Sequence, residues 1–141
     1  MQSAQAPENR ETIERHVRTI FERRAAGDVA GLIDYVAEDV FYNVQGDWTI
    51  YPFSRPVRGK KVFAQALAMV NALYENLGST IHELVIDGDR AALHRTSKMR
   101  NRGTGGVHSI DVCNFIRFRD GLVIEFSEYP DSAAMARVDD R

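Results

Sequence analysis

Four polar residues fall in rows of mostly apolar neighbours once strand side chains are sorted by their alternation: Glu128, Arg95, Asn114 and Tyr42. In the stretch 122–129, Leu122, Ile124, Phe126 and Glu128 share one parity, and Val123, Glu125, Ser127 and Tyr129 the other. Arg95 keeps company with Ala91, Leu93, Ser97 and Met99, opposite Ala92, His94, Thr96 and Lys98. Asn114 lies in the row His108, Ile110, Val112, Ile116, Phe118, opposite Ser109, Asp111, Cys113, Phe115 and Arg117. Near the first strand, Val40, Tyr42 and Val44 oppose Phe41 and Asn43, so Tyr42 or Asn43 points inward, but not both. A carboxylate among apolar groups is costly unless paired, and burial alone would raise its pKa. Arg95 offers the complementary charge, and a buried amide such as Asn114 must be hydrogen-bonded. The chemistry these types can do is proton transfer. Glu128 would be general base or acid, Arg95 would orient and tune it, and Asn114 and Tyr42 would donate hydrogen bonds to a substrate oxygen. The same residues also fit a structural ion pair in a filled core, which keeps a non-catalytic ligand-binding or dimerisation domain open as the alternative.

Around such a centre, Phe63, Phe126, Ile110, Val112 and His108, together with Trp48 and Phe53 of a loop, are the candidates for binding an apolar, oxygen-bearing ligand. Other chemistries find little support. His82, His94 and His108 do not read as a two-histidine, one-carboxylate set on one face, so no metal and no cofactor is expected. There is no Gly-x-Ser-x-Gly motif, and Cys113, the single cysteine, reads as a small hydrophobe without a nearby inward base.

These side chains need a scaffold, and the apolar pattern outlines one. Ile13, Val17, Ile20, Phe21 and Ala25 form a helical stripe stopped at Gly27, and Asp28 can cap a short second helix carrying Val29, Leu32, Ile33 and Val36. The chain then turns extended over 40–44. A third helix is expected from Lys60 to Leu77, burying Phe63, Ala66, Leu67, Val70, Leu73 and Tyr74, with Gly78 as its cap. Four strands follow at 80–86, 90–100, 107–118 and 122–129, joined by Asp87-Gly88, the glycine-rich 101–106 and Asp120-Gly121. Between them, the loop 45–58 carries Trp48, Tyr51 and Phe53 among Pro52 and Pro56. It is expected to cap the open end of the fold as a lid, or else to anchor a dimer.

The order predicts one α+β domain over 8–131, a curved, mostly antiparallel sheet wrapped by three N-terminal helices into a cone around a pocket. Residues 1–7 and 132–141 would be flexible ends, apart from a short turn near Ala133 to Ala136. A chain of 141 residues with 44% hydrophobic and 27% charged residues suits one globular domain. Its 18 basic and 20 acidic residues are interspersed, so neither nucleic acid nor a membrane is an expected partner. The densest basic stretch, Arg95, Lys98, Arg100 and Arg102, reads as a solvated edge. No run approaches the ~18 apolar residues of a membrane span, and the start Met1 to Asn9 lacks a signal peptide's apolar stretch, so a cytoplasmic address is expected. Cys113, Phe115, Val123 and Tyr129 would leave apolar groups on the outer sheet face, which predicts a homodimer through that face.

Element order and local motifs carry a resemblance. Ala26-Gly27-Asp28, Ala37-Glu38-Asp39-Val40, Phe118-Arg119-Asp120-Gly121-Leu122-Val123 and Glu128-Tyr129-Pro130-Asp131 resemble the nuclear transport factor 2-like superfamily over about Ile13 to Asp131. Within it, the chain is similar to the SnoaL-like polyketide cyclases, limonene-epoxide hydrolases and ketosteroid isomerases. The resemblance implies the cone fold, often paired sheet to sheet, and a small-molecule activity. Against the epoxide hydrolases, Tyr42 matches a tyrosine, Arg95 an arginine and Glu128 one acid, while Ser97 replaces a second aspartate and Val44 a water-placing asparagine. Against the cyclases, Glu128 stands where the acid/base is an aspartate. Against the isomerases, Ile20 and Val44 replace a tyrosine and the base, and Asn114 matches a donor aspartate.

Overall fold

The computed structural model describes residues 7–46 and 56–138. Trp48 and Phe53, with Tyr51 and most of the expected lid, lie outside the described residues.

Helix α1 (Pro7–Ala25) buries Ile13, Val17, Ile20 and Phe21, the expected stripe, and the chain turns at Gly27, whose φ of 71° costs a glycine nothing. Asp28 then caps α2 (Val29–Ile33), its Oδ1 accepting the Gly31 N–H at 2.8 Å. Strand β1 (Val36–Val44) starts earlier than expected, so Val36 is a buried strand residue rather than part of α2. After β2 (Val57–Arg58) comes α3 (Lys60–Leu73), then β3 (Tyr74–Asp87), β4 (Arg90–Asn101), β5 (Val107–Arg119), β6 (Leu122–Pro130) and α4 (Ser132–Val138).

The strands form one sheet of order β2-β1-β6-β5-β4-β3, in which β1 and β6 run parallel and the other neighbours antiparallel. Helices α1 and α3 pack against β3 and β1, and one apolar core lies between, with Val17, Val40, Phe63, Leu93, Ile116 and Phe126 in it. Burying each such side chain contributes roughly 1.5–3 kcal/mol. The α+β class and the expected meander are therefore present. Among the described residues no helix is long and apolar enough to cross a membrane.

Three differences from the sequence reading have physical causes. Helix α3 ends at Leu73, not Leu77, because 74–76 pair with 99–101 of β4, so that sheet hydrogen bonds replace the helix's last turn. Leu73 is accordingly 47% exposed, and Gly78, with φ 110°, sits at a break in the β3–β4 register rather than capping a helix. Residues 132–138, expected to fray, form a packed helix. Asp131 Oδ1 accepts the Ala134 N–H, and α4 buries Met135 and Val138 against Tyr74, Ile110 and Val112.

The third difference lies in β6. Phe118 pairs with Val123, but Arg117 pairs with Glu125, so Ile124 is an extra residue and the parity of the strand changes there. Val123 is fully buried and Leu122 exposed, the reverse of the expected assignment, whereas Phe126 and Glu128 stay inside.

Candidate functional site

The inner rows of β4, β5 and β6 bring Arg95, Asn114 and Glu128 together. Asn114 faces Glu128 across the β5–β6 pair, and Arg95 is one inward position along β4 from Leu93, the cross-strand partner of Asn114. All three are buried, Arg95 at 2% exposure and Asn114 at 0%. Arg95 therefore does not belong to a solvated edge, although Lys98, Arg100 and Arg102 are exposed.

The Arg95 guanidinium donates along three directions: Nε to Asn114 Oδ1 at 2.8 Å, one terminal nitrogen to Ser79 Oγ at 2.9 Å, and the other to Glu128 Oε1 at 3.0 Å. The Asn114 amide nitrogen donates to the Ser127 carbonyl at 3.3 Å, which fixes the amide so that its oxygen meets Arg95. The ring of Phe21 lies 4.6 Å from the guanidinium carbon. Arg24 of α1 adds a second cation, 3.7 Å from Glu128 Oε1, so both arginines approach the carboxylate through the same oxygen. Tyr42 completes the centre: its ring packs on Phe63 at 4.6 Å and Phe126 at 5.9 Å, and its hydroxyl interacts with Arg24.

Electrostatics set the protonation states. Burial pushes the Glu128 pKa up, but Arg24, Arg95 and the Asn114 hydrogen bond outweigh it, and the net shift is downward. This corrects the expectation of a raised carboxyl: Glu128 is ionised. Burial lowers Arg95 to about 10, opposed by Glu128, which leaves the guanidinium charged at neutral pH. Burial, reinforced by the Glu128 charge, pushes Tyr42 up, so its hydroxyl is neutral and able to donate.

Phe63 and Phe126 pack against Tyr42 at the edge of this centre. Val112 is the cross-strand partner of Arg95 and so adjoins this centre, although it and Ile110, which pairs with Ser97, also belong to the cluster under α4. His108 is half-buried at the far end of β5, six residues and about 20 Å of strand from Asn114. Ser97 is buried on the inner row and Val44 is buried at the end of β1 beside Glu128. A groove of about 290 Å³ opens between α1 and β3, lined by Phe21, Ala25, Gly78, Ser79 and Ile81 among others. Its Phe21 and Ser79 are the residues that touch Arg95, so one layer of side chains separates groove from guanidinium.

Arg24 and Ser79 were not foreseen. The signal for Arg24 was present: it continues the stripe Val17, Ile20 at the spacing i+7, i+4, which aims an arginine at the core. Ser79 carried no such signal, because its position depends on the irregular register near Gly78.

The chain belongs to the SnoaL-like domain family, whose model matches residues 17–126. No curated protein matches the sequence. Among solved structures, the chain is similar to a nuclear transport factor 2-like protein of Burkholderia xenovorans LB400, at 25% identity and TM-score 0.75, over 92% of this chain and 97% of that one. It also resembles an epoxide hydrolase of Mycobacterium tuberculosis that is like limonene-epoxide hydrolase, at 20% identity and TM-score 0.76, covering 94% and 91%. A third likeness is to a Catenulispora acidiphila protein with a ketosteroid isomerase-like fold, in complex with trimethylamine, at 14% identity and TM-score 0.70, covering 81% and 83%. The open, curved sheet with its helices is thus the α+β cone of the nuclear transport factor 2-like superfamily.

Proposed function

We propose that this protein is a SnoaL-like enzyme performing cofactor-independent proton transfer on an apolar, oxygen-bearing small molecule. The observation that carries the reading is an ionised carboxylate, Glu128, held inside an aromatic core by Arg24 and Arg95 next to a neutral phenol, Tyr42. The names of similar structures, an epoxide hydrolase and a proposed polyketide cyclase, are compatible with such chemistry.

In this mechanism Glu128 acts as general base. Both arginines engage Oε1, so Oε2 takes the proton from a substrate carbon or from a water; the bonding pair moves toward the substrate oxygen, and Tyr42 stabilises the growing charge by donating its hydrogen bond. Glu128 then returns the proton: to a second carbon, which closes an isomerisation; to a departing hydroxyl, which leaves as water in a dehydration whose reverse is hydration; or to the alkoxide formed when the substrate's nucleophilic carbon bonds to a second carbonyl carbon in a cyclisation. Asn114 is a positioning residue, since its oxygen accepts from Arg95 and its nitrogen donates to Ser127 and to Glu128 itself. The substrate would enter along the α1–β3 groove past Ser79 and Phe21.

A second reading is favoured by one fact: all three Arg95 nitrogens already have partners, as in a structural knot of a non-catalytic ligand-binding domain. Turnover decides between them. A panel of enones, epoxides and β-hydroxy carbonyls, narrowed by ligand-induced thermal shift, would identify a substrate. Tyr42→Phe should lower kcat/KM by about 10²-fold, the cost of losing one oxyanion donor, and Glu128→Gln should abolish turnover. Unchanged kcat/KM in both variants would establish the structural reading.

A further inference from the structure

On the opposite face of the sheet, away from the core site, His82, His94 and Asp111 bring one ligand atom each within 4.8 Å of one another. They come from three adjacent strands, β3, β4 and β5. We propose that they form a binding site for a divalent transition-metal ion, of which zinc is the prototype, that staples these strands together.

The donor set is two imidazoles and one carboxylate, which suits zinc, copper, nickel or cobalt and does not suit magnesium or calcium, whose preferred ligands are all oxygen. Tetrahedral zinc, with bonds near 2.0–2.1 Å, holds its ligand atoms about 3.3 Å apart. His94 Nε2 and Asp111 Oδ1 are already 3.7 Å apart, and the His82 and His94 rings lie 4.9 Å between centroids. Convergence on an ion needs a closure of the order of 1 Å, which partly exposed side chains can make by small χ rotations. Thr96 supplies the supporting contact: its hydroxyl donates to Asp111 Oδ1 at 2.8 Å and lies 2.7 Å from His82 Nε2. Because that hydroxyl proton goes to Asp111, His82 Nε2 is the donor to Thr96; on metal binding the ring takes its other tautomer, the proton passing through solvent to Nδ1 so that the Nε2 lone pair meets the ion, while Thr96 keeps Asp111 oriented. Three protein ligands leave a fourth position for water.

The backbone builds the site through a bulge. Glu83 pairs with His94 and Ile81 with Arg95, so His82 is an extra residue. Alternating with Ile81, which faces Arg95 and packs on the core, His82 points outward beside His94. Asp111 is then delivered by the β4–β5 register, which sets Thr96 opposite it.

The test uses tag-free protein, zinc chloride and a chromophoric chelator in competition. One zinc per chain is expected, with a rise in Tm on zinc addition, since an ion bound only to the folded state stabilises it. His82→Ala, His94→Ala and Asp111→Asn should each weaken binding more than about tenfold, the minimum cost usually seen for supporting residues, and abolish the Tm rise. In wild-type protein, zinc should shift the imidazole ¹⁵N resonances of His82 and His94 and leave those of His16 and His108 in place, a readout that needs no variant to fold. No saturable binding, binding that survives all three substitutions, or shifts at His16 or His108 instead would overturn the proposal.

Discussion

At the scale of single residues, Glu128 is where stability and the proposed chemistry meet. It is the anion shared by the buried Arg95 and the partly buried Arg24, so Glu128→Gln leaves the Arg95 charge in the core without it. Breaking a buried pair on one side costs about 3–5 kcal/mol, and urea unfolding of the variant should show a loss of that size. The pH dependence follows from the sign of the shift. The folded-state pKa of Glu128 lies below its ordinary value of 4.5, so the native state prefers the ionised form. Its stabilisation is complete above the unfolded-state pKa and is lost as pH falls through the folded-state value. Thermal melts from pH 6 to pH 3 should therefore fall more steeply for wild type than for Glu128→Gln. Equal slopes would mean that other carboxylates govern acid unfolding. Any Glu128-dependent turnover should likewise persist to below pH 4.5 before its acidic limb appears.

At the scale of elements, α4 carries more weight than its polar sequence suggests. Met135 is 5% and Val138 0% exposed, and they cover Tyr74, Ile110 and Val112. Met135→Ala should cost about 2–5 kcal/mol by transfer and cavity terms, read from the urea midpoint. Truncation after Asp131 should lower Tm further, because it uncovers the whole cluster; a truncated chain as stable as the full one would restore the view of a frayed end. The bulges are the other element-scale devices. One at Ile124 keeps both Val123 and Glu128 inward along a single strand, and one at His82 leaves His82 and Glu83 both outward while Ile81 and Leu84 face the core.

At the scale of the whole molecule, the homodimer remains a proposal. Phe115 and Tyr129 are 57% and 45% exposed on the outer face and meet edge to face at 5.8 Å, and Cys113 is exposed beside them. Val123 no longer contributes, being buried. A second copy seated on this face would cover the pair. Sedimentation at micromolar concentration should give about twice the 15.9 kDa chain mass, and Phe115→Lys should return it to the monomer. A wild-type monomer would refute the pairing. Run with zinc and with chelator, the same measurement also tells whether the His82, His94 and Asp111 cluster, on the same face, depends on association.

How much of this was legible beforehand depends on the range of the interaction. Helical stripes, hairpin turns and strand alternation are local, so the amino-acid sequence alone determined the element order, the inward rows of β4 and β5, and the buried companionship of Arg95, Asn114 and Glu128. It also marked Tyr42, since β1 alternates without interruption across it. What the tertiary structure decided is where two strands meet. A bulge shifts register by one residue and reverses every face beyond it, at an energetic cost set by the partner strand rather than by the bulged segment. That is why Val123 and Leu122 exchanged faces, and pairing of 74–76 with β4 is likewise what took the last turn from α3. The ionised state of Glu128 belongs to the same class. Its neighbours along the strand argue for a raised pKa, and only the fold brings Arg24, more than a hundred residues away in the chain, to lower it.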